Sequence, residues 1–150
     1  MSEEKPVKKS ESRLAIIRIR GITGVEKRIK DTLNMLCLYH NNYCVVVNDS
    51  LLGMIKKAKD YVTWGEIDDE TYRLLVEKRG EEFKGRITDK KKKINYKKFI
   101  IINNKKYKKY FRLNPPRGGF ERKGIKTPFS KGGALGYRKE KINDLIKKMV

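Results

Sequence analysis

Cysteine, histidine and long apolar runs are all scarce in this chain of 150 residues, and each shortage removes a class of protein. Only Cys37 and Cys44 are present, which fits a reducing compartment where thiols serve as small apolar side chains. With His40 between them they make a Cys-x2-His-x3-Cys set. Three ligands without a second cluster fall short of a structural zinc site. His40 has no acidic or nucleophilic neighbour in sequence and reads as the end of a helix, not as a catalyst. No apolar run approaches the roughly 20 residues of a membrane-spanning helix, and neither end carries an acylation or prenylation signal. Met1 to Ser12 is polar and charged and lacks the apolar segment of a secretory signal, so a cytoplasmic protein is expected. No Gly-x-Gly-x-x-Gly follows a strand and no Gly-Lys-Ser/Thr loop occurs, which leaves nucleotide binding unsupported. Asp68-Asp69-Glu70, three acids opening a helix, is a cap and dipole complement rather than a magnesium site. A convergent nucleophile, base and electrostatic group are missing, so no catalysis, cofactor or metal is expected.

Acid is short as well, but only in half of the chain. Residues 1–75 carry 13 basic and 11 acidic side chains, whereas residues 76–150 carry 25 and 7. Nearly all of the net charge of +20 therefore sits in the second half. A segment so charged repels itself unless a polyanion neutralises it. The composition suggests a mobile tail over 1–12, a core domain over 13–80 and a basic extension over 81–150. At the centre of the extension, 105–138 holds eleven Lys or Arg against the single acid Glu121, and six of the twelve glycines. That much glycine weakens helices and strands, so the segment is not expected to fold alone. Bare backbone and guanidinium forks instead suit phosphate oxygens. Tyr107, Tyr110, Phe111, Phe120, Phe129 and Tyr137 are interleaved among the cations. Rings so placed stack on unpaired bases, and they are depleted in solvated linkers. The segment reads as an RNA-binding arm that orders on its partner.

Elsewhere the periodicity is ordinary. Leu14 to Arg20 alternates as a strand, with one face apolar and the other ending in two arginines, which suggests a sheet covered on one side and partly open on the other. Thr23 and Glu26 form a capping box for a helix whose stripe is Val25, Ile29, Leu33, Leu36 and Cys37. Tyr43 to Asn48 is a β-branched second strand. Asn48, Asp49 and Ser50 offer N-caps to a second helix over 51–59, and Tyr61 to Gly65 is a third strand. Asp68 caps a helix over 69–79, with Gly80 as its stop. Lys90 to Lys93 is a solvated loop, and Phe99 to Ile102 is an apolar anchor of undecided secondary structure. A last helix spans 139–149, with Ile142, Leu145, Ile146 and Met149 inward. The fold class is α+β, a β-α-β-α-β two-layer core with a helical and extended basic extension.

Particular blocks carry a resemblance. Arg18-Ile19-Arg20-Gly21, Arg28 to Leu33, Gly53 to Gly65, and above all Pro115-Pro116-Arg117-Gly118-Gly119-Phe120 with Lys131 to Gly136 look like the ribosomal large-subunit protein family L-thirty. The length resembles its archaeal form, whose eukaryotic counterpart is L-seven. The likeness covers about 14–79 and 112–149, while Lys84 to Lys109 departs from the family pattern. It implies a three-stranded antiparallel sheet with helices on one face, close to a ferredoxin-like arrangement, and a non-catalytic role on large-subunit rRNA beside neighbouring ribosomal proteins. No membrane and no obligate homo-oligomer are expected. Arg117, Gly118, Gly119, Phe120, Lys131, Gly132 and Gly133 become candidate RNA contacts by resemblance as well as by pattern. Charge adds Lys105, Lys106, Lys108, Lys109, Arg112, Arg122, Lys123, Lys126 and Arg138 in the arm, and Arg18, Arg20, Lys27, Arg28, Lys56 and Lys57 on the rim of the core. The rival is a sequence-independent DNA or RNA binder outside the ribosome.

Overall fold

The computed structural model describes residues 13–95, 99–102 and 104–150; the tail expected over 1–12 lies outside the described residues. The centre of the molecule is the strand β1, Arg13–Arg18. It pairs antiparallel on one side with β2, Tyr43–Asn48, and on the other with β3, Val62–Glu66. Four of its successive residues, Leu14 to Ile17, are at most 3% exposed. Alternation sends them to opposite faces, so a strand buried on both faces needs cover on both.

Two helices cover the Leu14 and Ile16 face. They are α1, Lys27–Met35, and α2, Leu52–Lys57, which bring Leu33, Leu36, Ile55 and Ala58 against Val45, Val62 and Trp64. The Ala15 and Ile17 face meets α3, Asp69–Arg79, and α4, Ile142–Met149, through Leu75, Ile142, Leu145, Ile146 and Met149. This corrects the expectation of helices on one face and a partly open reverse. The antiparallel three-stranded core is present, but α3 of the core and α4 of the extension, which carries a full apolar stripe, together supply a third layer.

The extension also widens the sheet. Strand β6, Tyr110–Arg112, pairs antiparallel with β2, and β7, Gly136–Tyr137, pairs parallel with β3, giving the order β6-β2-β1-β3-β7. Phe111, on β6, is fully buried in the α3 and α4 face. Phe99–Ile102 forms β4 and pairs with β5, Lys105–Lys108, as a separate two-stranded hairpin, which settles the apolar anchor as a strand. The lysine run is a turn in which the Asp89 carboxylate accepts the N–H groups of Lys93 and Ile94.

Three local expectations change. The helix α1 begins at Lys27 with Glu26 as its N-cap and no side-chain capping bond, so the Thr23 capping box does not form. It ends at Met35, and Cys37 takes a left-handed φ of 62°. Gly80 stops α3 with φ −64°, so left-handed freedom is not its role. A Cβ there would lie 2.4 Å from the Val76 carbonyl oxygen and 3.2 Å from the Tyr107 ring, so closeness explains the glycine. Cys44 is fully buried in apolar surroundings that push its thiol up to about 12. Cys37 packs on the opposite face, and the described residues hold no group of three metal-binding side chains. None of their helices is long and apolar enough to cross a membrane.

Candidate nucleic-acid interface

The arm read from the sequence is two structures at opposite edges of the sheet. Its first part, 105–112, is β5 and β6. Its second, 113–135, is a glycine-rich loop that crosses one end of the sheet and delivers the chain to β7. Leu113 N–H donates to the Asn42 carbonyl at 3.1 Å, Asn114 N–H to Met149 at 3.0 Å, and Arg117 N–H to Lys148 at 3.2 Å. The loop thus starts at the β2 corner and runs along the C-terminal end of α4. Ile19, Ala134 and Leu135 then form a small buried cluster with Phe120 packed against it.

The far side of the loop is held by one side chain. Arg138 is 3% exposed, and its guanidinium donates from Nε to Thr63 Oγ1 at 2.8 Å, from Nη1 to Glu121 Oε1 at 3.0 Å, and from Nη2 to the Ala134 carbonyl at 2.9 Å. It also lies over the Phe129 ring at 4.8 Å. Burial lowers its pKa and the Glu121 carboxylate opposes that shift. With three N–H groups engaged inside the protein and 3% of its surface exposed, Arg138 fastens the loop and does not face outward as the sequence suggests. Arg18 is corrected in the same way: it is 3% exposed and donates to the carbonyls of Arg20 and Leu38, each at 3.0 Å. Gly133 is buried too, since a Cβ there would lie 1.9 Å from the Thr127 carbonyl oxygen. Phe120 is half-buried against the core.

The other candidates in the loop face outward. Arg117, Gly118, Gly119, Arg122, Lys123, Lys126, Lys131 and Gly132 are exposed. Gly118, Gly119 and Gly132 have φ of 77°, 78° and 92°, a region costly for residues with a Cβ. The turn closes by Gly119 N–H donating to the Pro116 carbonyl at 3.0 Å, which accounts for the Pro-Pro-Arg-Gly-Gly sequence. Among the described residues, none of the five loop cations makes an ion pair.

The core contributes cations at the same end of the sheet. Strand β1 ends at Arg18, β2 begins beside it and so does β3. Arg20 emerges there, half-buried, with its guanidinium over the Tyr61 ring at 5.2 Å. The last turn of α2 presents Lys56 and Lys57 there, exposed; Lys27 and Arg28 are exposed in the first turn of α1, whose C-terminal side, at Leu38, is the one that meets Arg18. The topology therefore collects Arg20, Lys56, Lys57 and the glycine loop, which sequence alone left unconnected.

The hairpin cations stand apart from them. Glu81 receives a hydrogen bond from Lys108 Nζ at 3.0 Å and another from Arg112 at 2.5 Å. Burial alone would raise the Glu81 carboxyl, but those hydrogen bonds and charges outweigh it and hold it below the ordinary glutamate range. Lys106 lies over the Phe99 ring at 5.0 Å, and Lys105 is exposed. Lys109 is half-buried. Beside β6, the Tyr43 and Tyr110 rings stack with centroids 4.9 Å apart, a sheet-edge packing feature with no local signal in the sequence.

Comparison with known proteins identifies the family. The family model described as ribosomal protein L30p/L7e matches residues 14–62, the span from β1 to the start of β3. A protein of Methanopyrus kandleri named large ribosomal subunit protein uL30 is 42% identical over 149 residues, covering 88% of this chain and 100% of that protein. Proteins of the same name from Methanococcus maripaludis and Nanoarchaeum equitans are 46% and 44% identical, covering 91% and 88% of this chain and 98% and 95% of theirs. Matches of that depth run through the extension as well as the core, and the chain belongs to the ribosomal protein L30p/L7e family.

Proposed function

We propose that this chain is a non-catalytic, structural constituent of the large ribosomal subunit, acting in the cytoplasm with large-subunit rRNA and neighbouring ribosomal proteins as its partners. It grips folded rRNA with the glycine loop 113–135 and the basic end of the core beside it. The observation that carries this reading is the loop itself. It is fixed at both ends by buried residues, yet it turns five unpaired cations outward on a backbone that glycines leave bare. Phosphate contacts of this kind position a protein on irregular RNA, and release of counterions makes the affinity fall with salt.

The test is to follow the protein on sucrose gradients of a cell lysate at moderate and at high salt. Near-stoichiometric migration with the large subunit, resistant to DNase, is the expected result. Release by DNase, or a preference for duplex DNA over folded rRNA at matched salt, would overturn it in favour of the binder outside the ribosome.

A further inference from the structure

We infer that the flank of α4 beside its core stripe, together with the glycine loop, forms a binding site for one unpaired RNA nucleotide. Ile142, Ile146 and Met149 point into the core. Lys141, at the N-cap, and Asp144 and Lys148 follow at three- and four-residue spacing along the border of that stripe, and with the buried Leu145 they line a cleft of about 310 Å³. The loop closes it from the other side with Gly118, Gly119, Phe120 and Arg122, and Phe129 and Arg138 also line it.

The chemistry of the walls selects the ligand. Two half-buried rings line it, Phe120 packed against the core and Phe129 with the Arg138 guanidinium over it at 4.8 Å, and rings and guanidinium planes are both surfaces on which bases pack. Arg122, Lys141 and Lys148 are exposed and make no ion pair among the described residues, and the Lys141 ammonium is held over the Phe129 ring at 5.4 Å. Of the two acids in the cleft, Glu121 is engaged by Arg138, which leaves Asp144 against three cations. A phosphate on the lysines with its base against the rings satisfies both the charge and the apolar surface. The size suits one nucleotide, since small-ligand clefts begin at about 300 Å³. A duplex presents no free base to such a cleft. Lys141 and Lys148 are not part of the arm, and their placement here comes only from the packing of α4 under the loop.

This inference rests on the reading that the chain binds rRNA, and the test keeps the two apart. The full chain is titrated with a mixed-sequence single-stranded RNA pentamer and with an abasic pentamer of the same length, following the Phe120 and Phe129 ring protons by NMR. Binding to large-subunit rRNA is measured alongside. The ring protons are expected to shift with the pentamer and not with its abasic counterpart. K141Q/K148Q is expected to weaken the pentamer by about fivefold or more, whereas K90Q/K91Q, the same charge change in the distant lysine turn, leaves it unaltered. Both pairs of side chains are exposed, so urea unfolding should not move. Equal shifts with the abasic oligomer, or equal losses in the two double variants, would overturn the site while rRNA binding stands. Failure of the wild-type chain to bind rRNA, with the ring shifts intact, would overturn the ribosomal reading instead.

Discussion

Arg138 shows how little of a residue's role its type discloses. In the sequence it is the last cation of a basic arm; in the fold it joins Thr63, Glu121 and Ala134, the first of them 75 residues away. Partners so distant leave no local signal, and the same holds for Arg18 and Leu38. Removing one member of a buried, hydrogen-bonded set leaves the others without partners, which costs about 3 kcal/mol. Arg138→Leu is therefore expected to lower the free energy of unfolding in urea by that amount, and Arg138→Lys to restore only part of it, because an ammonium lacks the planar fork. The glycines divide in the same manner. At Gly65 a Cβ would lie 2.0 Å from the Lys139 carbonyl oxygen, and at Gly133 it would lie 1.9 Å from that of Thr127. Gly53, within α2, has open space around it and no positive φ. Alanine at 65 or 133 should cost about 2 kcal/mol or more through forced movement of backbone, whereas Gly53→Ala should gain about 0.5–1 kcal/mol. Denaturant unfolding of the three variants checks both signs.

Among the elements, those with a repeating pattern were legible and those defined by a distant partner were not. Tyr43–Asn48, Asp69–Arg79 and the stripe of α4 follow from alternation or 3.6-residue spacing within their own residues. Strands β6 and β7, of three and two residues, exist only because β2 and β3 offer them an edge. The two-faced burial of β1 was obscured by Arg18, which looks like a solvent-facing residue until its carbonyl partners are known. The β4–β5 hairpin is joined to β6 by a partner distant in sequence in the same way, the acid Glu81. Its Lys108 and the neighbouring Arg112 of β6 both bond Glu81, and Lys108 N–H donates to the Glu81 carbonyl at 2.9 Å. Since the folded carboxyl titrates below its unfolded value of about 4.3, its contribution is present above that pH and is lost as pH falls through the lower folded value. Glu81→Gln should remove this dependence. Urea midpoints of wild type and variant are expected to differ at pH 7 and to converge toward pH 3; a constant gap would show that the carboxylate charge is not what joins the hairpin to β6.

Over the whole molecule, the antiparallel topology gathers cations from separate parts of the sequence at one end. Chain reversals at the Arg18 end bring together Arg20, the end of α2 and the glycine loop. Reversals at the other end gather Glu66, Asp68 and Glu140 around Asn143, which accepts from Asp68 N–H and donates to the carbonyls of Glu66 and Glu140. There the Tyr137 hydroxyl bonds Glu66, and that carboxylate, with Asp49 and Glu140 near, pushes the phenol up to about 12. The charge division at residue 80 is thus no structural boundary, because β6, β7 and α4 complete the sheet and core that residues 13–80 begin. It follows that deleting 105–138 removes Phe111, Ala134, Leu135 and the three strands β5, β6 and β7 together, and the product should not fold. Changing Arg117, Arg122, Lys123, Lys126 and Lys131 to glutamine leaves the buried side chains in place, so its thermal and urea transitions should match wild type. Its rRNA affinity should depend less steeply on salt, the slope falling by about 0.7–0.9 for each phosphate that the variant no longer neutralises. An unchanged slope in this folded variant would mean that the loop does not touch the backbone of the RNA, and the grip would then belong to Arg20, Lys27, Arg28, Lys56 and Lys57.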